Sequence, residues 1–482
     1  MIIDPLRGDL TFADYRTASE ALAASLSARG VGIGTVVSWQ LPTTPDAAVL
    51  VGALAQLGAV QNPLLPIYGA RELAFIVRQV RTDLLVVQDH LVSAIETQLS
   101  EQLGDDLTGL NISTVEQLRQ VDRSPLPLPP HQPAGTECRW VFYTSGTTGD
   151  PKGARHSDVS IIAAARGMAD RLEIDHNDRS ALVFPFSHVG GIVWLAVSVA
   201  YGCANVFISP FQQGQSARDL TAAGTTLAGG GTPFLLSYLA TRREDKHILA
   251  ASRAFMAGGA PKPPQLHREL TEAFGIGVVS GYGMTEAPLV TFSSGSDSDA
   301  VRSTTEGRAT VGASIRIVDA DRVCGPGEPG EVRVKGPQVM LGYVDSAADQ
   351  LVFDDDGWLR TGDLGWLDDE GNLTVTGRIK DIIIRNGENI SAKEVEDLIY
   401  GHEAVADVAV IGLPDERTGE RCCAVVVLAP GAASLNLTEL AAHLSGAGLM
   451  KQKWPEQLEL VTELPRNPSG KVLKTNLRAR YG

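Results

Sequence analysis

Four short runs in this 482-residue chain concentrate the residue types that handle phosphates. The first is Tyr143-Thr144-Ser145-Gly146-Thr147-Thr148-Gly149-Asp150-Pro151-Lys152-Gly153, which continues an apolar strand-like stretch. Its hydroxyls and backbone N–H groups are donors for phosphate oxygens, its glycines let the backbone approach closely, and Lys152 adds a positive charge. The spacing is not that of a Walker A loop. The second is Ser280-Gly281-Tyr282-Gly283-Met284-Thr285-Glu286, placed just after the strand-like Gly275–Ser280. There Tyr282 is a stacking surface for a base, Thr285 a phosphate donor, and Glu286 a hard oxygen ligand suited to Mg2+. The third joins Asp363, which ends the run from Trp358, to Arg378 in Thr376–Asp381; an acid at a strand end is a common grip on ribose hydroxyls. The fourth, Leu464–Lys471, uses two prolines and Gly470 to project Lys471, with Lys474 beyond. Taken singly, each has an ordinary reading: a solvated loop, a surface carboxylate, an exposed hairpin, a solubilising lysine. One run, Gly325–Gly330, fits G-x-G-x-x-G but holds two prolines and opens no helix, so it reads as a hairpin turn.

The elements that must carry these runs alternate helix and strand at first. Thr11 with Asp14 is spaced like a capping box ahead of a helix that Gly30 ends; Val36–Leu41 reads as a buried strand. Thr44-Pro45 opens a helix that Gly58 closes, and Asp83–Asp89 is another strand. This rhythm predicts a doubly wound α/β unit with ligands at the carboxyl ends of its strands. Pro125–Pro133 reads as a linker into the strand at Arg139–Thr144. After about residue 300 the pattern becomes alternating and turn-rich, which is antiparallel β structure. The last hundred or so residues form a compact α+β set.

Composition narrows the function. A formal charge of −16 offers no basic footprint for nucleic acid. Five cysteines without a C-x-x-C spacing read as reduced and structural in a cytoplasmic protein, with Cys422 and Cys423 on opposite faces of a strand. The nine histidines show no zinc spacing. The N-terminus lacks a signal-peptide pattern. Gly190–Ile208 is apolar enough to suggest a membrane span, but Gly202, Asn205 and Pro210 punctuate it, so a buried helix ending near Gly202 and a strand at Asn205–Ser209 fit better.

Together and in this order, the four runs resemble the adenylate-forming superfamily of acyl-CoA synthetases, luciferase-like ligases and nonribosomal-peptide adenylation domains, from about residue 10 to 475. The resemblance implies an α/β fold. It implies a large N-terminal domain, residues 1–379, of two α/β subdomains and a distorted β-barrel, and a small mobile α+β lid, residues 380–482, with a hinge at Lys380. It implies ATP, Mg2+ and coenzyme A, and a small carboxylic acid activated as its acyl-AMP and passed to CoA. By position, Thr144, Ser145, Gly146, Thr147, Thr148 and Gly149 with Lys152 match the phosphate loop, and Gly259 and Ala260 the nucleotide wall. Tyr282 matches the adenine-stacking residue, Thr285 the α-phosphate contact, Glu286 the metal ligand, Asp363 and Arg378 the ribose grip, and Lys471 the adenylation lysine. Gly387 matches the pantetheine tunnel wall, although Asn386 stands where many relatives have glycine. His188 resembles a gate beside the carboxylate, so Lys471, Thr285, Glu286 and His188 form the catalytic set.

The resemblance puts the acyl pocket between Pro185–Gly191 and Gly258–Met284, with His188, Gly230, Gly281 and Met284 in its walls and Trp194 and Phe234 as candidates. The bare Gly229–Gly231 leaves room for a wide acyl group. No aspartate opens the segment as in amino-acid-activating domains, which disfavours an α-amino acid. Gln61–Val77 with Gly230–Leu235 resembles ligases for alicyclic or bulky acids; a medium-chain fatty acid is the plain alternative. The chain ends twelve residues after Gly470 without a carrier domain, which favours a free-standing CoA ligase. The rivals are an enzyme that loads a carrier protein, a luciferase-like oxygenase, and a degenerate homologue that only binds nucleotide.

Overall fold

The computed structural model describes residues 1–104, 109–120, 135–144, 151–259, 262–386, 388–467 and 470–482. The expected linker at Pro125–Pro133, and Ser145, Gly146, Thr147, Thr148, Gly149, Ala260 and Gly387 among the candidate site residues, lie outside these ranges.

Two parallel sheets dominate. In one, strands Asn111–Ser113, Leu84–Val87, Val36–Gln40, Val60–Pro63 and Trp140–Thr144 run parallel, followed by Lys152–His156 and Gly342–Tyr343 in antiparallel pairing. In the other, the parallel order is Ile2–Ile3, Ala204–Phe207, Arg179–Leu182, Leu227–Gly230, Ala254–Ala257 and Val278–Met284. Ala287–Phe292 and Arg308–Ala309 complete it antiparallel. Side-chain alternation sorts each strand between two cores: Leu84 and Val86 join one, Leu85 and Val87 the other. The largest core lies between the sheets, where Trp39 and Phe142 of the first meet Leu182 and Phe207 of the second. Helices Phe12–Ala28, Pro45–Leu57, Asp158–Leu172 and Val189–Tyr201 fill that layer. Burial of Val189 and Gly191–Leu195 explains the apolar first turns of Val189–Tyr201, whose last turn exposes Val199; Gly202, at φ 80°, ends it, and Ala204–Phe207 follows as a strand. No helix among the described residues is long and apolar enough to cross a membrane.

Local signals agree with the elements. Thr11 and Asp14 form the reciprocal capping box of Phe12–Ala28, worth about 1 kcal/mol. Pro45 starts its helix and Gly58, at φ 66°, ends it. Gly325–Gly330 is a turn between strands.

The third unit is a five-stranded antiparallel sheet in the order Arg322–Val323, Ser314–Asp319, Gly330–Lys335, Leu359–Leu367, Leu373–Arg378. No pairing among the described residues closes it into a barrel. The C-terminal unit is built on the long hairpin Val405–Asp415 and Gly419–Leu428, flanked by Ile382–Arg385, Glu388–Ser391 and Gln457–Val461. Cys422 faces one of its cores, under helices Ala392–Tyr400 and Leu437–Gly446, and Cys423 the other, under Lys474–Tyr481. All five cysteines are free.

Candidate active site

The parallel strands of both sheets end at one place. Trp140–Thr144 leads into the phosphate-loop run, Leu227–Gly230 into Gly231, Ala254–Ala257 into Gly258 and Gly259, and Arg179–Leu182 into the segment carrying His188. A cavity of about 700 Å3 opens there. Its lining includes Thr144, Lys152, His188, Gly230, Gly259, Gly281, Met284, Thr285, Glu286, Arg378, Lys380 and Lys471. A second cavity of about 310 Å3 adjoins it against the C-terminal unit and takes in Tyr282 and Asp363.

The Ser280–Glu286 run does not follow its strand, as the sequence suggests, but continues it to Met284, because Tyr282 pairs with Thr291 and Met284 with Ala287 across a tight turn. Glycine is required at 283: a Cβ there would sit 2.4 Å from the Leu289 nitrogen. Thr285 and Glu286 form the turn itself. Glu286 is held from two sides: its carbonyl accepts from the Met340 N–H (2.8 Å) and its Oε1 from the Tyr343 hydroxyl (2.8 Å). Burial beside that carboxylate keeps the Tyr343 phenol protonated, above its ordinary range. The Thr285 carbonyl meets Nε2 of the fully buried His156 at 2.8 Å. Burial lowers the His156 pKa to about 4, so its ring is neutral.

Asp363 and Arg378 face each other on adjacent strands, with Arg378 Nε 2.8 Å from Asp363 Oδ1. The Tyr282 hydroxyl donates to Asp363 Oδ2 at 2.6 Å. Asp363 thus sits within its strand beside a register shift, rather than at a strand end. Lys471 comes from the C-terminal unit. Its loop is braced internally: Asn467 N–H donates to the Lys471 carbonyl and Lys471 N–H to Asn467 Oδ1, both at 2.9 Å. Arg466 ties the Gly470 carbonyl to Asp407, whose carboxylate it meets at 2.6 Å. Burial, then the Arg378 charge, lowers the Lys471 ammonium to about 8, against the opposing pull of Asp363.

His188 caps the helix Val189–Tyr201, its Nδ1 accepting from the Gly190 N–H at 3.1 Å. That bond places the ring proton on Nε2, and burial lowers the pKa to about 4, so His188 is a neutral donor in the cavity wall. Trp194 lines the cavity; Phe234 packs instead in the outer core with Phe211 and Tyr238. A Cβ at Gly230 would sit 2.6 Å from the Phe234 ring, so glycine there is needed for packing as well as for space. Lys380 lies on the short turn Ile379–Asp381, between strands Leu373–Arg378 and Ile382–Arg385. Sequence reasoning missed Tyr343, His156 and Arg466, which lie 57, 129 and 59 positions from their partners Glu286, Thr285 and Asp407.

Among the described residues no three His, Cys, Asp or Glu side chains are arranged to hold a metal ion. A lone carboxylate in a polar cavity is nevertheless what Mg2+ uses when substrate phosphates supply its other ligands. Glu286, with one oxygen held by Tyr343, fits that demand.

Comparison with known proteins is decisive at this point. Residues 2–344 match the AMP-binding enzyme family, and residues 394–471 match the AMP-binding enzyme C-terminal domain. The chain belongs to the AMP-binding enzymes. The medium-chain fatty-acid–CoA ligase of Escherichia coli is 32% identical over 495 residues, covering 99% of this chain and 87% of that protein. ATP-bound MatB from Rhodopseudomonas palustris superposes with a TM-score of 0.91 at 29% identity, covering 100% of this chain and 95% of that one; the apo form of MatB gives 0.79. The o-succinylbenzoate CoA synthetase of Bacillus subtilis, in complex with ATP and magnesium, gives 0.86 at 29% identity, covering 99% and 96%. The adenylate-forming resemblance and its large and small domains are borne out.

Proposed function

We propose that this AMP-binding enzyme is an ATP-dependent acid–CoA ligase. The acid's carboxylate attacks the α-phosphorus of ATP, the bond to the β-phosphate breaks, and pyrophosphate leaves. The sulfur of CoA then attacks the acyl carbonyl and AMP leaves. The observation that carries this reading is the convergence of Glu286, the Asp363–Arg378 pair and Lys471 around two adjoining cavities at the carboxyl ends of both sheets. Both first-step reactants are anions, so the task is charge neutralisation and positioning.

In this reading Lys471 and Thr285 hold the α-phosphate and the incoming carboxylate. Thr144 and Lys152, with the run Ser145–Gly149, take the outer phosphates. Asp363 and Arg378 hold the ribose, while Tyr282 and Gly259 form the base wall. Glu286 would hold Mg2+, which when bound neutralises phosphate charge. Residues 1–379 and 380–482 act as body and lid, a division supported by hydrophobic cores that each stay on one side of that boundary. Turning at Lys380 withdraws Lys471 for the second step and brings Gly387 to the thiol.

The acyl end of the cavity is lined by Phe184, Val189, Val193, Trp194, Met256 and Leu289, and its imidazole, His188, is neutral. Such walls reward burial of apolar surface at about 25 cal/mol per Å2 and penalise a second charge. The substrate is therefore an apolar monocarboxylic acid: medium-chain, alicyclic or bulky. The five free cysteines support a cytoplasmic location.

The test is pyrophosphate release with ATP, Mg2+ and a panel of linear, alicyclic and aromatic acids, with and without CoA, products read by mass. Acyl-CoA and AMP are expected. Acyl-AMP that ignores CoA would reassign the acceptor to a carrier protein, and no pyrophosphate from any acid would leave a nucleotide-binding homologue.

A further inference from the structure

Lys152 and Glu286 come from different sheets, yet one side chain touches both. The Tyr343 hydroxyl donates to Glu286 Oε1 at 2.8 Å, and Lys152 Nζ lies 5.5 Å from the centre of the Tyr343 ring. We infer that Tyr343 is a positioning residue for the metal–triphosphate end of the site: its hydroxyl orients the metal-binding carboxylate and its ring seats the phosphate-loop lysine.

A buried tyrosine needs a partner for its hydroxyl wherever it lies, so the bond alone would mean little. Here the backbone around Tyr343 is fixed on several sides. Tyr343 pairs with Ala154, two residues from Lys152 on the same strand and therefore on the same face. Its N–H donates to Asp349 Oδ1 at 2.6 Å, and its carbonyl accepts from Arg155 Nε at 3.0 Å. Gly342, at φ 120°, must be glycine, since a Cβ would overlap the Asp349 carboxylate. Three residues earlier, Met340 N–H holds the Glu286 backbone. The segment 340–343 thus grips Glu286 by main chain and side chain and presents an aromatic face to Lys152. Among the described residues no group donates to Glu286 Oε2, so Tyr343 occupies one carboxylate oxygen and leaves the other for a ligand. A hydrogen bond to a metal-binding group of this kind sets its direction and basicity, and the ring face attracts an ammonium.

The inference rests on the assignment of the metal to Glu286, and the experiment separates the two. The full-length protein is titrated with Mn2+ in the presence of α,β-methylene ATP, and bound Mn2+ is read by electron paramagnetic resonance. The same analogue is titrated calorimetrically in EDTA. Tyr343→Phe keeps the ring and is expected to weaken Mn2+ roughly tenfold while metal-free analogue affinity stays within about twofold. Tyr343→Leu loses the ring too and is expected to weaken both. A Tyr343→Phe protein with wild-type Mn2+ affinity, or with both affinities reduced in parallel, would overturn the inference. Glu286→Gln is the control: unchanged Mn2+ binding there would overturn the metal assignment itself, whatever Tyr343→Phe does.

Discussion

Lys471 is the residue on which the two half-reactions should part. Its ammonium is present below about pH 8 in the free enzyme and is lost as pH rises through that value. Acyl-AMP formation, followed as kcat/KM, should therefore fall on the alkaline side, and Lys471→Arg should move that limb upward. Lys471→Ala should lower acyl-AMP formation by roughly a hundredfold or more and still thioesterify supplied acyl-AMP; loss of both half-reactions in a folded protein would remove the division of labour. His156 makes a different prediction, about stability. Its folded pKa, about 4, lies below the ordinary 6.5, so the unfolded chain takes up the proton first. Stability from keeping this ring neutral is intact above about pH 6.5 and declines toward pH 4, by on the order of 3 kcal/mol at the limit. Urea unfolding at pH 7.5, 6 and 5 would show it, and His156→Gln should flatten the trend; His188 contributes in the same direction.

At the scale of elements, the Lys471 loop owes its shape to Arg466, which spans from Gly470 to Asp407 on the long hairpin strand. Gly470 approaches Pro233 and Phe234 at the start of the helix Thr232–Glu244, so the loop tip reaches the body of the enzyme. Removing the brace should let the tip wander by about an ångström, a displacement that can cost roughly a hundredfold in a positioned reaction. Arg466→Ala is accordingly expected to slow acyl-AMP formation strongly and to leave thioesterification of supplied acyl-AMP within about twofold. Equal loss in both half-reactions would mean that Arg466 supports the lid as a whole.

At the scale of the whole molecule, the ion pairs of residues 380–482 join partners within that range among the described residues. Examples are Arg385–Glu456, Lys393–Asp397, Arg466–Asp407, Lys474–Glu396 and Arg478–Asp381. A recorded bond across the boundary joins Ser391 Oγ to the Thr376 carbonyl at 2.5 Å. On the proposed body-and-lid reading these pairs travel together when the lid turns. The fragment 1–379 keeps its own cores and should fold alone, bind AMP by equilibrium dialysis and form no acyl-AMP. Failure of the fragment to fold would place the body's stability partly in the lid.

Helix ends, strand alternation and the glycines of tight turns were legible in the sequence because they rest on neighbours within a few positions: Thr11 with Asp14, Thr44 with Pro45, Cys422 against Cys423. The four ordered runs were legible for the same reason, since the first, second and fourth pack their donors and charges into about ten residues and the third pairs two short pieces, one ending at Asp363 and one holding Arg378. Tertiary structure alone decided that Tyr282 spends its hydroxyl on Asp363, that Phe234 belongs to the core, and that Ser280–Met284 is strand. It alone revealed the supports behind the site: Tyr343 on Glu286, His156 on Thr285, Arg466 on Asp407. These contacts join residues far apart in the chain, and only the packing of two sheets and a lid gives them a common place.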